Sequence, residues 1–300
     1  MMEIQEINIE SNLYPEKLRN IKKPPYKLYA IGNVELLNKP SLAIIGTRHI
    51  TEYGTKNCKY FTQKIVEKDI PIVSGMAIGT DSVAHKTALE FGGETIAVLP
   101  SGFDNVYPKA NKNLFEKIIN QNGLVITEYP PSTSANSDRF LERNRIVSGL
   151  SEGVLVIESA YRSGTSVTAK LAYQQGRVVM ALPGRLDSSY GVGVNKLIQD
   201  GAKLITDIED IIKCFPQFMD KLWKTEVAVQ EVIWDIKDEY REIAGILKDK
   251  ALPVEEIVQK TKDKNLREVL NLLINMELDG IVVEKMGEGY SLVREKVLYG

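Results

Sequence analysis

The stretch SLAIIGTRHITEYGTKNCKYFTQKIVEKDIPIVSG, residues 41–75, decides how the chain folds. It opens on a short apolar run, SLAIIG (41–46), passes through an amphipathic pattern at 51–68, and closes on a second apolar run, IPIVSG (70–75). Ile- and Val-rich runs without polar alternation are the mark of strands buried on both faces. The alternation continues through TIAVLP (95–100), LVITEY (124–129), GVLVIES (153–159), RVVMALPG (177–184) and AKLIT (202–206). Helix patterns at 80–91, 110–121, 138–150, 164–175 and 190–200 separate these runs. The expected fold class is α/β, a mostly parallel sheet with helices on both faces.

Outside this block the pattern changes. Residues 1–40 hold a Pro-Pro pair and short apolar patches, and are expected as an extension packed on the main domain at 41–215. Residues 216–237 look like a linker with some amphipathic character. From 238 to 296, DEYREIAGILKDK, LPVEEIVQKT and NLREVLNLLINMELDG predict three helices, and IVVEKMGEGYSLV a hairpin turning at GEG. Three helices and a hairpin in about 60 residues form a winged-helix arrangement.

Composition narrows the function. The N-terminus lacks the basic and apolar regions of a signal peptide, and no apolar run is long enough for a bilayer, so a cytoplasmic protein with no membrane partner is expected. Cys58 and Cys214 stand in no metal-ligand spacing, which argues for a reducing compartment and against zinc. The net charge of −2 gives no bulk attraction for a polyanion, so an anion site must be a local patch. The 238–296 segment is slightly acidic, and its third helix mainly apolar, which favours protein contact over duplex reading.

Such a patch is visible where the strands end. In an open parallel sheet, ligands bind outside the carboxyl ends of the strands, at helix N-termini. Those ends read IIGTR, VSGMAIGTD, LPSG, ESAYRSGTS and LPGR, with glycines that admit close backbone approach and hydroxyls that donate. GxxxxGK[ST] and a well-placed GxGxxG are both absent, so this is no standard ATP or NAD site and no cofactor is expected. RFLERNRIVSGL (139–150) adds Arg139, Arg143 and Arg145. Asp138 and Glu142 could make this a solvated, salt-bridged helix face. Against that stand Asn144 and Phe140, since guanidinium forks hold phosphates and an exposed Phe stacks on unpaired bases. Asp81 and His85, four apart, suit a helix N-terminus with His85 bonding back to Asp81 better than an acid–base pair. Glu128 and Glu158, at strand ends, are expected to be structural.

These motifs together resemble the DNA-processing protein A family (DprA, also called Smf). The likeness runs collinearly over about residues 13–210: YPEKL, AIIGTR, IVSGMAIGTDSVAHKTAL, TIAVLPSGFDNVYPKANKNLF, FLERNRIVSGLSEGVLVIES, SGTSVTA and GVNKLIQDGAKLI. Thr80, and the SGTSV sequence, are small departures from the family's pattern that keep backbone donors and hydroxyls.

The resemblance implies a Rossmann-like domain that is not an enzyme, binds single-stranded DNA, loads the RecA recombinase in natural transformation, and forms a homodimer. Carried over by motif, the DNA site comprises Arg48, Ser74, Gly75, Lys109, Phe140, Arg143, Asn144, Arg145, Ser163, Gly164 and Thr165. Arg143 and Arg145 are expected on the sugar-phosphate backbone and Phe140 against a base. Arg139 lies outside the motif. The rival reading is a phosphoribohydrolase-like nucleotide-processing enzyme using the same crevice, although a PGGxGT loop with a following glutamate is missing.

Overall fold

The computed structural model describes residues 3–215, 237–248, 250–285 and 289–292. Its internal contacts divide the chain into two compact units, Met1–Thr225 and Glu226–Gly300. In the first, the elements run β1 (Gln5–Asn8), α1 (Glu16–Arg19), β2 (Lys27–Gly32), β3 (Leu42–Ile45), α2 (Glu52–Val66), β4 (Ile72–Ser74), α3 (Thr80–Glu90) and β5 (Thr95–Val98). They continue with α4 (Lys112–Asn120), β6 (Leu124–Thr127), α5 (Ser137–Gly149), β7 (Gly153–Val156) and α6 (Gly164–Gln174). The unit ends with β8 (Val178–Ala181), α7 (Ser189–Gln199), β9 (Lys203–Leu204) and α8 (Ile208–Lys213). All seven apolar runs became strands, β3 to β9, and all six helix patterns became helices.

The nine strands form one sheet in the order β1-β2-β6-β5-β4-β3-β7-β8-β9. Strands β3 to β9 pair in parallel, whereas β2 pairs antiparallel with β6 and β1 antiparallel with β2. The N-terminal extension is therefore more than a wrapping: it supplies two sheet strands and buries Tyr14, Leu18 and Ile21 in the core.

Strand pleating divides the core. Ala43, Ile45, Val98 and Val156 meet Ile146 and Val147 of α5, Ala169 and Ala172 of α6 and Val194 of α7. Leu42, Ile44, Ile72 and Leu155 meet Cys58, Phe61 and Ile65 of α2 and Ala84 and Ala88 of α3. Ala97 and Val125 pack on Leu114, Phe115 and Ile118 of α4.

From β3 the chain steps one way to β4 and β5, and later returns to lay β7 and β8 on the other side. Loops leaving β3 and β7 thus turn to opposite faces, and a crevice opens between them. Such a switch point is where open α/β sheets bind ligands.

In the second unit, α9 (Arg241–Ile246), α10 (Val254–Lys260) and α11 (Leu266–Leu278) precede β10 (Val282–Lys285) and β11 (Gly289–Leu292), an antiparallel pair. The order of elements is the one anticipated. Tyr240, Ile243, Leu252, Ile257, Val269, Leu273, Met276 and Tyr290 form a separate core. The 216–237 linker, apart from Lys237, and most of the GEG turn lie outside the described residues.

Candidate nucleic-acid interface

At the switch point lies a crevice of about 370 Å³, lined from β3 by Gly46, Thr47 and Arg48, from α5 by Phe140, Arg143 and Asn144, and beyond β7 by Ser163, Gly164 and Thr165. Gly75 and Asp81 complete its floor. Eight of the expected site residues are thereby brought together: Arg48, Gly75, Phe140, Arg143, Asn144, Ser163, Gly164 and Thr165.

The loop carrying Arg48 is held from two sides. Thr47 N–H donates to Glu158 O (2.9 Å), and the Thr80 hydroxyl and N–H both donate to Thr47 O (3.1 Å each). Gly79 permits the second approach: its φ is +81°, and a Cβ there would collide with Thr47 O and Arg48 O. Arg48 is exposed, and no carboxylate pairs with it among the described residues. Its guanidinium carbon instead lies 4.9 Å from the Phe140 ring centroid, a cation–π contact.

On the opposite wall, Ser163 caps α6 and accepts from Ser166 N (3.4 Å), while Val167 N is taken by Ser163 O (3.2 Å). The helix leaves the N–H groups of Gly164 and Thr165 without intrahelical acceptors. A Cβ on Gly164 would meet nothing within 4 Å, so this terminus faces open space. The hydroxyls are committed: Thr165 Oγ1 donates to Gly46 O (3.0 Å), and Ser163 Oγ lies 2.9 Å from Ser159 Oγ. The anion-seeking groups on this wall are thus backbone N–H dipoles, reinforced by the positive end of the helix.

Arg143 differs from the sequence expectation. It is buried, and its Nη1 donates to Gly75 O and to Val98 O (2.5 Å), while Nε donates to Asn144 Oδ1 (3.2 Å). A Cβ on Gly75 would overlap Nη1, Cζ and Nη2 of this guanidinium, so Gly75 is the gap that Arg143 fills. Burial, opposed by Asp81 and aided by Arg48, pushes the Arg143 pKa down to about 10. It is still a cation at neutral pH, fixed in the crevice wall rather than free to follow a ligand.

Arg145 and Ser74 are turned away from the crevice. The Arg145 guanidinium pairs with Glu128, and its Nη1 and Glu128 Oε1 are buried without a partner among the described residues. Burial raises the Glu128 carboxyl above its ordinary range despite Arg145. Ser74 is fully buried and its hydroxyl donates to Ile44 O (2.7 Å). Lys109, exposed in a short 3₁₀ turn (Lys109–Asn111), does not line the crevice, and Arg139 rests 5.2 Å from the Tyr129 ring centroid.

His85 also departs from expectation. Its Nδ1 meets Thr95 Oγ1 (2.7 Å) rather than Asp81, and burial, with Arg143 nearby, lowers its pKa to about 3. Asp81 accepts from Ala77 N (3.2 Å), and burial raises its carboxyl. Glu158 accepts from Thr51 N (2.9 Å) and Thr51 Oγ1 (2.6 Å), tying β7 to the start of α2. No group of three or more His, Cys, Asp or Glu that could hold a metal occurs among the described residues, and no described helix is long and apolar enough to cross a membrane.

Fold and site together define a doubly wound Rossmann-like domain with a cationic, helix-terminated crevice at its switch point. The sequence profile of the DNA recombination-mediator protein A family matches residues 5–216, and the chain belongs to that family. It is 41% identical to the DNA processing protein DprA of Bacillus subtilis over 215 residues, 71% of this chain and 72% of that one. It is 33% identical to protein Smf of Escherichia coli over 292 residues, 96% of this chain and 77% of that one. Among solved structures, DNA processing protein A from Helicobacter pylori, described for its single-stranded DNA binding mode, superposes with a TM-score of 0.65 at 32% identity. That match covers 72% of this chain and 97% of the Helicobacter protein.

Proposed function

We propose that the protein is a non-enzymatic, sequence-independent single-stranded DNA-binding protein of the cytoplasm. In this reading it protects incoming DNA and loads the RecA recombinase onto it during natural transformation, working as a homodimer. The observation that carries the DNA reading is Arg48, a cation without a carboxylate partner, set on Phe140 across the crevice from the open N-terminus of α6. The single-stranded DNA binding described for the Helicobacter relative supports it.

The strand's phosphates lie between Arg48 and the Gly164 and Thr165 N–H groups, with the buried Arg143 behind them as a fixed charge. Asn144 adds an amide on the same wall, and Lys109 reaches phosphates beyond the crevice. None of these groups reads a base edge, so affinity is independent of sequence and falls with salt. The 238–296 segment acts as a winged helix in protein contact, because Leu266, Ile274 and Leu278 of α11 are exposed apolar residues on a helix that would otherwise have to face DNA.

The test is fluorescence anisotropy with labelled oligo-dT and a matched duplex at 50 and 200 mM salt, concentrations chosen to expose the counterion effect. Preference for the single strand, weakening with salt, is expected. Equal binding by wild type and Arg48→Ala, or release of free base from AMP by the purified protein, would move the nucleotide-enzyme reading ahead.

A further inference from the structure

We propose that the single strand leaves the crevice over the first turn of α5 and makes a second set of contacts where β6 meets β2, with Arg139 on a phosphate and Tyr26 under a base. The inference rests on the single-strand reading of the crevice and extends its track.

Sheet topology places both residues on the ligand side. Strands β3 to β6 are parallel, so their carboxyl ends share one rim. β2 runs antiparallel to β6, with Tyr29 opposite Thr127, so the chain enters β2 at that same rim. Tyr26 and Lys27 therefore stand at the end of the sheet where Glu128 and Tyr129 leave β6. From β3 to β2 is four strand spacings, roughly 19 Å, which a ligand confined to the crevice does not cover.

Arg139 precedes Phe140 on α5 and carries the cationic wall of the crevice toward this edge. Its N–H donates to Asn136 Oδ1 (2.9 Å), its Nη1 donates to Ser134 O, and its guanidinium carbon lies 5.2 Å from the Tyr129 ring centroid. Tyr129 is held in turn, its hydroxyl donating to Glu142 Oε2 (2.7 Å). No carboxylate pairs with Arg139 among the described residues, so the rest of its fork is available to a phosphate. The neighbouring carboxylates are occupied: Glu142 by Tyr129 and Glu6 by Lys27 (2.5 Å). Asp138 lies in the first turn of α5, where the helix dipole offsets its charge.

Tyr26 is 69% exposed, and neither a cation nor another ring covers it among the described residues. The backbone beneath it is fixed. Pro24 and Pro25 lock their φ angles, Pro25 O accepts from the Tyr14 hydroxyl (2.7 Å), and Tyr26 O accepts from Ile9 N (2.9 Å). An exposed ring on so firm a segment loses little entropy on stacking.

The experiment compares labelled oligo-dT of about 4 and about 16 nucleotides by anisotropy on the full chain, lengths that span the usual single-strand site sizes. Arg139→Ala and Tyr26→Ala are each expected to weaken the long probe about ten-fold and to leave the short one at wild-type affinity, which also shows that the variants are folded. Arg139→Ala lowers the long probe's salt slope by about 0.7, whereas Tyr26→Ala leaves the slope unchanged, because stacking releases no counterions. Tyr26→Phe restores wild-type affinity, since stacking needs no hydroxyl. Arg48→Ala is expected to weaken both probes. Wild-type affinity of either alanine variant for the long probe, or an equal loss on both probes, would overturn the extended track while the crevice stands. A wild-type chain that binds neither probe would overturn the single-strand reading, and this track with it.

Discussion

Arg48 and Arg145 belong to the same family motifs, yet their surroundings predict opposite behaviour. Arg48 is exposed, without a carboxylate partner, and touches the protein through one cation–π contact. Replacing it with alanine removes roughly 0.5–1 kcal/mol of stability, a shift of a few degrees in Tm for a unit of this size. Binding loses one charge-assisted phosphate contact, roughly 1.5–3 kcal/mol or about 10- to 150-fold, and the salt slope for a single strand falls by about 0.7. Arg145→Ala instead strands Glu128, whose side chain is 14% exposed beside an arginine side chain 17% exposed. Breaking a fully buried pair costs roughly 3–5 kcal/mol, and partial exposure brings that down to about 2–3. Protonation of Glu128, starting from an ordinary pKa of 4.5, caps the penalty at about 3.4 kcal/mol at pH 7. The expected result is a Tm lowered by roughly 5–10 °C, with oligo-dT affinity retained well below the transition. Calorimetry and anisotropy on both variants check this. An Arg145→Ala protein with wild-type Tm and no DNA binding would refute the scaffold role, and an Arg48→Ala protein that binds normally would refute the crevice.

The two site glycines separate in the same way. Gly75→Ala forces Arg143 off its two carbonyls and should cost roughly 3–5 kcal/mol, read as a large fall in Tm, because a buried cation loses its partners. Gly164→Ala places its Cβ in open space, so denaturation should be unaffected while the methyl group obstructs the exposed N–H pair and weakens oligo-dT binding several-fold. His85 gives a pH signature. Its pKa is lowered on folding from 6.5 to about 3, so the unfolded chain binds the extra proton in that window and stability falls as pH drops below 6.5, by at most about 1.4 kcal/mol per unit from this group. Asp81, raised by burial, acts with the opposite sign, so the quantity to measure is the difference between wild type and His85→Gln in how the urea-unfolding free energy changes with pH. Parallel pH profiles for the two would contradict a neutral buried imidazole.

Strands β3 to β7 were legible because both their faces are buried, which leaves unbroken apolar runs, whereas β8 is half buried and β9 exposed, and these two were legible from the apolar residues around them. Strands β1 and β2 were not. β1 buries only Ile7 of its four residues, and β2 interleaves partly buried Lys27 and Tyr29 with buried Leu28 and Ala30, a faint signal over so short a span. The positions of the site loops were legible from the topology, and the directions of individual side chains were not. Ser74 closes an apolar run, and its hydroxyl is drawn to the carbonyl of Ile44 on the neighbouring chain segment.

The arginines of FLERNR show why motif spacing misleads when taken as a set of equal contacts. Residues two apart on a helix do not share a face, so Arg143 and Arg145 cannot both look into one crevice. Arg143 faces β4 and β5 and reaches Gly75 O and Val98 O, while Arg145 meets Glu128 beyond β6. What the crevice gains is charge rather than reach. Arg48 and Arg143 repel each other, with Asp81 and, more weakly, Tyr129 in partial compensation, and the Asp81 carboxyl is itself raised by burial. On the proposed single-strand reading, a phosphate entering between Arg48 and the α6 terminus relieves that repulsion. The backbone carbonyls that bind Arg143 keep it from swinging out to solvent before the phosphate arrives. A neutral ligand would leave the repulsion in place, so this geometry favours the anionic backbone proposed as its ligand.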